Sequence, residues 1–296
     1  MADICNLCPR QCNIDRTATL GYCQSPDKVR IARVGLHEWE EPCISYGKGS
    51  GTIFFSGCNM RCVFCQNCEI SSFFGGKEIS VETLADEILS LQDMGASNIN
   101  FVTPTHYADK IVKALDLVKH KLEIPTVYNT SSYEKTETLK MLEGYVDIYL
   151  PDLKYFDSAP ALKYSGAEDY FEYASAAVLE MQRQVGTVRL DPDGITKSGL
   201  IIRHMVLPGN ISQAVKVFSW VRENLPENTY ISVMRQYVPF GKAKEIPPIN
   251  RRLSAREYSI VKQKILALGF ENCYFQSGEA AEESFIPNFN LEGVDL

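Results

Sequence analysis

Nine of the ten cysteines in this 296-residue chain fall within its first 68 residues, at positions 5, 8, 12, 23, 43, 58, 62, 65 and 68. Thiolates are soft ligands for zinc and iron–sulfur clusters, and in a reduced compartment thiols grouped this closely serve metals more often than disulfides. The run Gly57-Cys58-Asn59-Met60-Arg61-Cys62-Val63-Phe64-Cys65-Gln66-Asn67-Cys68 sets three of them at C-x3-C-x2-C spacing. So short a loop wraps three corners of a cubane and leaves one iron open to a substrate or cofactor. Cys68 is the complication: as a fourth ligand it would close the cluster for electron transfer alone. A zinc knot is the other alternative.

A second group, Cys5-Asn6-Leu7-Cys8-Pro9-Arg10-Gln11-Cys12 with Cys23 beyond Gly21, gives C-x2-C-x3-C-x10-C. Four thiolates close a tetrahedral site. Zinc is the default structural metal there, a single iron or a second cluster is also compatible with all-sulfur ligation, and a group that binds no metal is the remaining alternative. Such a metal would organise an extension too short to build its own core. Cys43 has no obvious partner, and Cys273 stands in an apolar, strand-like run where a buried structural thiol is expected.

These groups need elements to hold them. Residues 1–48 show no long periodic segment and read as irregular. From Gly51 onward, short β-branched or aromatic runs alternate with amphipathic runs at helical spacing, the pattern of repeated βα units. The first strand is expected over 52–55. Ser80 is then an N-cap with Thr83 at N3; Val81, Leu84, Ile88, Leu91 and Met94 form one face, closed by Gly95. Further strands are expected at 98–102, 126–129, 146–150, 200–206 and 230–234, and helices near 107–121, 134–143, 168–184, 211–225 and 254–268. Six right-handed βα units curl into a partial (β/α)6 TIM-like barrel, although a flat doubly wound sheet fits the same periodicity. The expected organisation is an α/β barrel over 49–296, including a C-terminal tail, preceded by a cysteine-rich, metal-organised extension over 1–48. In either arrangement ligands bind where strands end.

The loop at 57–68 resembles the defining segment of the radical S-adenosylmethionine (SAM) superfamily, including the aromatic residue before the last cysteine, here Phe64. The resemblance implies that Cys58, Cys62 and Cys65 bind a [4Fe–4S] cluster while the amino and carboxylate groups of SAM chelate the fourth iron. One electron would then cleave SAM to methionine and a 5′-deoxyadenosyl radical that abstracts hydrogen from a substrate. From about Gly49 to Gly278 the chain is further similar to activating enzymes of glycyl radical enzymes, especially uncharacterised proteins related to pyruvate formate-lyase activase. The similarity rests on residues 57–67, on Asp147-Ile148-Tyr149-Leu150-Pro151-Asp152-Leu153-Lys154, on Ile202-Arg203-His204-Met205-Val206-Leu207-Pro208-Gly209 and on Gln236-Tyr237-Val238-Pro239.

This second resemblance implies a cofactor-binding set. Phe64 and Asn67 lie beside the cluster; Asp152 and Lys154 order the SAM site or a neighbouring ion; Arg203 reaches the SAM ribose or carboxylate. A rim ion pair and a structural ion pair are the plainer alternatives for these charges. Where activases carry Gly-Gly-Glu-Pro, this chain has Thr103-Pro104-Thr105-His106, so Thr103 and Thr105 would supply acceptors without a carboxylate. His106 is then of more interest than His37, His120 or His204. After strand three, Asn129 and Ser131 provide polar groups at the level of SAM, or simple turn chemistry. No catalytic side chain is nominated, because the cofactor supplies the radical.

A net charge of −7 does not favour phosphate backbones, so nucleic acid is not an expected partner. The start Met-Ala-Asp-Ile-Cys has neither a basic nor an apolar region, and no stretch approaches the roughly 18 apolar residues of a membrane span. A cytoplasmic protein with no membrane partner is expected. Its expected partners are an electron donor such as flavodoxin or ferredoxin and, by resemblance, a glycyl radical enzyme or other protein substrate. A small-molecule or peptide-modifying radical enzyme is the alternative within the class. Outside it stand a non-catalytic iron–sulfur electron carrier and a zinc-organised nucleic-acid module using Arg10 and Arg16.

Overall fold

A computed structural model describes residues 4–72, 75–276, 289 and 291–294; the end of the expected similarity at Gly278, most of the C-terminal tail and Met1–Asp3 lie outside them. A small ribbon of β1 (Ile4–Cys5) and β2 (Ile14–Asp15) comes first, followed by β3 (Val29–His37) and β4 (Ser50–Phe55). Then come α1 (Cys68–Ser71), β5 (Lys77–Ile79), α2 (Val81–Asp93), β6 (Ile99–Val102), α3 (Ala108–Val118), β7 (Thr126–Thr130), α4 (Thr136–Met141) and β8 (Ile148–Pro151). The chain continues through α5 (Ser158–Ser165), α6 (Tyr170–Val185), β9 (Arg189–Leu190), β10 (Thr196–Met205), α7 (Ile211–Asn224), β11 (Tyr230–Met234), α8 (Ala255–Leu266) and β12 (Cys273–Phe275).

The main sheet runs β12-β11-β10-β8-β7-β6-β4-β3-β5. From β4 to β12 every neighbouring pair is parallel, whereas β3 is antiparallel to both β4 and β5. The two end strands, β5 and β12, do not pair among the described residues, so the barrel is partial. All six expected parallel strands are present, and β12 adds one more.

Side chains alternate along each strand, so one set faces helices and the other faces inward. Ile53, Phe55, Ile99 and Phe101 pack with Leu84, Ile88 and Leu91 of α2 and Ile111 of α3. Tyr128, Tyr149, Ile202 and Val233 pack with Ala174, Val178, Val217 and Phe218 of α6 and α7. Burying such a side chain completely stabilises the fold by about 1.5–3 kcal/mol. Ser80 accepts a hydrogen bond from Thr83 N–H, as expected of an N-cap, and Gly95 closes α2 at a positive φ of 89°.

Several elements are not visible in the periodicity, and three of them shape the barrel. Val29–His37 forms a nine-residue strand inside the segment expected to be irregular; a bulge at Ala32–Arg33 breaks its apolar alternation, and pairing with β4 decides the outcome. Pro160 disguises α5, although proline is tolerated in a first helical turn. Residues 38–48 form a plug at the end of the barrel where the parallel strands begin. Ile44 O accepts from Ser97 Oγ at 3.1 Å and Asn98 Nδ2 at 2.9 Å, and Cys43 O accepts from Thr196 N–H at 2.8 Å. Cys43 and Ile44 thereby meet the inward-facing Val127, Ile148, Leu150 and Ile201. Among the described residues no helix is long and apolar enough to cross a membrane.

Candidate cluster and cofactor site

The cysteine loop leaves the C-terminal end of β4 through Gly57, at φ +88°, where a Cβ would lie 2.6 Å from Cys23 O and collide with Ser25 Oγ. Only glycine fits that turn. Each sulfur then receives a hydrogen bond: Cys58 from Met60 N–H at 3.3 Å, Cys62 from Ser165 Oγ at 3.0 Å and Cys65 from Ser71 Oγ at 3.3 Å. Such donors suit sulfurs that carry charge onto a cluster. Burial, followed by the neighbouring Cys62, pushes the Cys58 thiol up to about 11 and the Cys65 thiol up to about 12. Cys58 and Cys65 would hold an iron–sulfur cluster as thiolates, and binding to iron would offset both penalties.

Among the described residues no three Cys, His, Asp or Glu side chains gather as ligands of one metal ion. A cubane takes each thiolate at a different corner, so the loop's donor set fits a cluster. Cys68 is the first residue of α1, and Asn67 is the N-cap of that helix, its carbonyl accepting from Ile70 N–H and Ser71 N–H. Phe64 is buried, in edge contact with Tyr164 and Tyr237.

A chain of charges runs from Lys154 into the barrel. Lys154 Nζ lies 2.7 Å from Asp152 Oδ2, and Asp152 Oδ1 accepts from Arg203 Nε at 2.9 Å. Arg203 also donates to Glu40 Oε2 at 3.1 Å and Asn129 Oδ1 at 2.7 Å, and Glu40 Oε1 accepts from Asn100 Nδ2 at 2.9 Å and Asn129 Nδ2 at 3.2 Å. Burial alone would raise the Asp152 carboxyl, but Arg203 and then Lys154 hold it below its usual range. For Lys154, burial is outweighed by Asp152 and then by Cys62, which keep the ammonium charged. Lys154 therefore couples the cysteines electrostatically to the barrel interior.

Asn129, Asp152, Lys154 and Arg203 are thus brought together. Ser131 and Thr103 flank them: Ser131 O and Asp152 O lie 2.8 and 2.9 Å from Tyr170 OH, and Thr103, at φ +59°, donates its N–H to Asn129 O at 3.0 Å. Thr105 and His106 are placed differently. Thr105 Oγ1 donates to Glu134 Oε1 at 2.6 Å, and buried His106 donates its Nε2–H to Ser56 O at 2.8 Å. Burial and nearby Arg16 push the His106 imidazole down to about 3, against the Ser56 hydrogen bond, leaving it neutral.

Two acidic residues were missed from sequence. Glu40 reaches the network from the plug, and its neighbour Glu41 is held above the carboxylate range by burial, which Arg203 only partly offsets. Glu134 accepts from Thr105 and Thr130, and burial raises it to about 7 against those hydrogen bonds. Glu40 and Glu134 belong to no motif; Glu40 is brought in by the plug and Glu134 by the turn that leaves β7.

Residues 52–210 match the radical SAM superfamily. An uncharacterised protein, MJ0674 of Methanocaldococcus jannaschii, is 32% identical over 263 residues, covering 86% of this chain and 71% of its own. A pyruvate formate-lyase-activating enzyme of Clostridium pasteurianum is 27% identical over 128 residues, 41% of this chain and 53% of that enzyme. The structure of Streptococcus suis SuiB bound to precursor peptide SuiA shares the fold at TM-score 0.51 and 14% identity, covering 74% of this chain and 46% of SuiB. This chain thus spans about half of the activating enzyme and less than half of SuiB. The family match takes in more than half of the chain, with the cysteine loop, Asp152, Lys154 and Arg203 inside it, and the chain belongs to the radical SAM superfamily, whose proteins hold a [4Fe–4S] cluster and bind SAM.

Proposed function

We propose that this protein is an activase-like radical SAM enzyme that takes a hydrogen atom from a protein substrate, a glycyl radical enzyme being the favoured class. The observation that carries the SAM chemistry is the ion-paired path from Lys154, whose charge interacts with Cys62, through Asp152 to Arg203 and Asn129. Reduced by one electron from a donor such as flavodoxin or ferredoxin, the bound cluster and SAM would supply a 5′-deoxyadenosyl radical.

Cys58, Cys62 and Cys65 hold the cluster in this proposal, and Phe64 and Asn67 support their loop. Asp152 and Lys154 present opposite charges that orient a zwitterionic ligand. Asn129, Ser131, Thr103 and Arg203 line the approach from the strand ends. Thr105 and His106 act one layer behind, fixing the loops through Glu134 and Ser56. Similarity to the C. pasteurianum activating enzyme supports the substrate class. A peptide-modifying role is the second reading, and it takes its support from the SuiB likeness in fold.

The test is anaerobic reconstitution with iron and sulfide, followed by dithionite and SAM. 5′-Deoxyadenosine is expected from the wild type and not from Cys62→Ala; a wild type that binds no SAM sinks the proposal. For the substrate class, a glycyl radical signal in electron paramagnetic resonance (EPR) is expected on adding a glycyl radical enzyme. Turnover of a peptide without that signal supports the second reading.

A further inference from the structure

Cys5, Cys8, Cys12 and Cys23 line a single recess together with Arg10, Ile14, Arg16, Gly21 and His106. All four are free thiols. Gly21 makes room for one of them: a Cβ there would lie 2.9 Å from Cys12 Sγ, which accepts from Tyr22 N–H at 3.4 Å.

The wall of the recess offers more than sulfur. Arg16 is only 6% exposed; its Nη groups donate to His106 O and Pro26 O, yet its Nε has no hydrogen-bond partner among the described residues. A buried N–H donor left unbonded is costly, and the structure gives it no acceptor. A single zinc ion adds none beyond the four thiolates. An iron–sulfur core adds inorganic sulfides, each an acceptor, and its net negative charge with four thiolates suits a recess lined by two arginines.

The recess is also built onto the SAM-cluster loop. Cys23 O packs against Gly57, beside Cys58. Arg10 Nε donates to Asn59 O at 2.8 Å, and its Nη groups donate to Gly166 O at 2.6 Å and Ser165 O at 3.1 Å, the latter being the residue whose hydroxyl bonds Cys62.

We propose that Cys5, Cys8, Cys12 and Cys23 hold a second [4Fe–4S] cluster, seated against the loop that carries Cys58, Cys62 and Cys65. Anaerobic reconstitution of the full chain should give about eight irons and about eight acid-labile sulfides per chain. The variant Cys58→Ala/Cys62→Ala/Cys65→Ala should keep about four of each, with a reduced-cluster EPR signal that SAM does not alter. The variant Cys8→Ala/Cys12→Ala should lose the other four and keep a signal that SAM does alter, which separates this site from the SAM cluster. Stoichiometric zinc in the triple variant overturns the proposal. So does a wild-type total of about four irons, a count that needs no variant to fold.

Discussion

Arg203 engages three partners at once, and each guanidinium nitrogen has its own: Nε with Asp152, Nη1 with Glu40 and Nη2 with Asn129. Among these partners Glu40 brings a carboxylate that is only 9% exposed and that binds Arg203, Asn100 and Asn129 together. Glu40→Gln keeps the shape and removes the charge. It should cost roughly 2 kcal/mol by denaturant midpoint. It should also weaken SAM binding about tenfold, or roughly 1.4 kcal/mol, measured by titration of the reconstituted protein. Loss of stability with unchanged SAM affinity would show that the network is scaffolding alone. Asp152, Lys154 and Arg203 could be found in sequence because they sit in recognisable segments after strands. Glu40 could not: a Glu-Glu-Pro run in an extension looks like solvated loop, and only the antiparallel return of β3 carries it under the barrel.

Glu134 supplies a second test, of pH dependence. Its folded pKa of about 7 lies above the ordinary glutamate value of 4.5, so the native state holds the proton more tightly than the unfolded chain. The stability it contributes is complete below about 4.5 and is lost as pH rises through about 7. The loss by pH 8 amounts to roughly 3 kcal/mol. Glu134→Gln removes the titrating group and should flatten the fall in denaturant midpoint between pH 5 and pH 8. An unchanged slope would mean that another group sets it.

At the scale of elements, two glycines separate conformational cost from collision. Gly166 follows α5 in the left-handed region, at φ 57° and ψ 32°, and a Cβ there would meet only Tyr22 OH, at an ordinary 3.5 Å. Gly166→Ala should therefore cost about 1 kcal/mol and leave iron content unchanged. Gly57 has a similar φ sign but no room, since its Cβ would press on Cys23 O and Ser25 Oγ. Gly57→Ala should displace the cysteine loop, and the bound iron should fall well below the Gly166→Ala level. Equal iron in the two variants would show that the close approach to Cys23 is not needed. The strands and helices themselves were legible because the apolar period changes from 2 to 3.6 along the chain. The contact between Cys23 and Gly57 was not, because spacing reveals which thiols belong to a group and nothing about how two groups stack.

Across the whole molecule, the first 48 residues serve both ends of the barrel. Residues before β3 cover the cysteine loop, β3 runs the length of the sheet beside β4, and residues 38–48 plug the opposite end. The cysteine spacing leads to an expectation of a small metal-organised extension over 1–48, and within that stretch Val29–His37 pairs with β4 and β5 in the main sheet. The plug also positions the site, since it carries Glu40 to Arg203. Two fully buried isoleucines distinguish packing from positioning: Ile44 in the plug and Ile88 in α2, each at 0% exposure. Ile44→Ala and Ile88→Ala should each cost about 2–5 kcal/mol, because both leave a cavity in a packed cluster. Only Ile44→Ala should also weaken SAM binding, because only the plug holds Glu40 in place; Ile88 packs on the outer face with Leu84 and Leu91. Denaturant midpoints and SAM titrations on the same samples check both parts. Equal SAM affinity in the two variants would mean that Glu40 keeps its place without the plug's packing, and that Arg203 and Asn129 hold it from above.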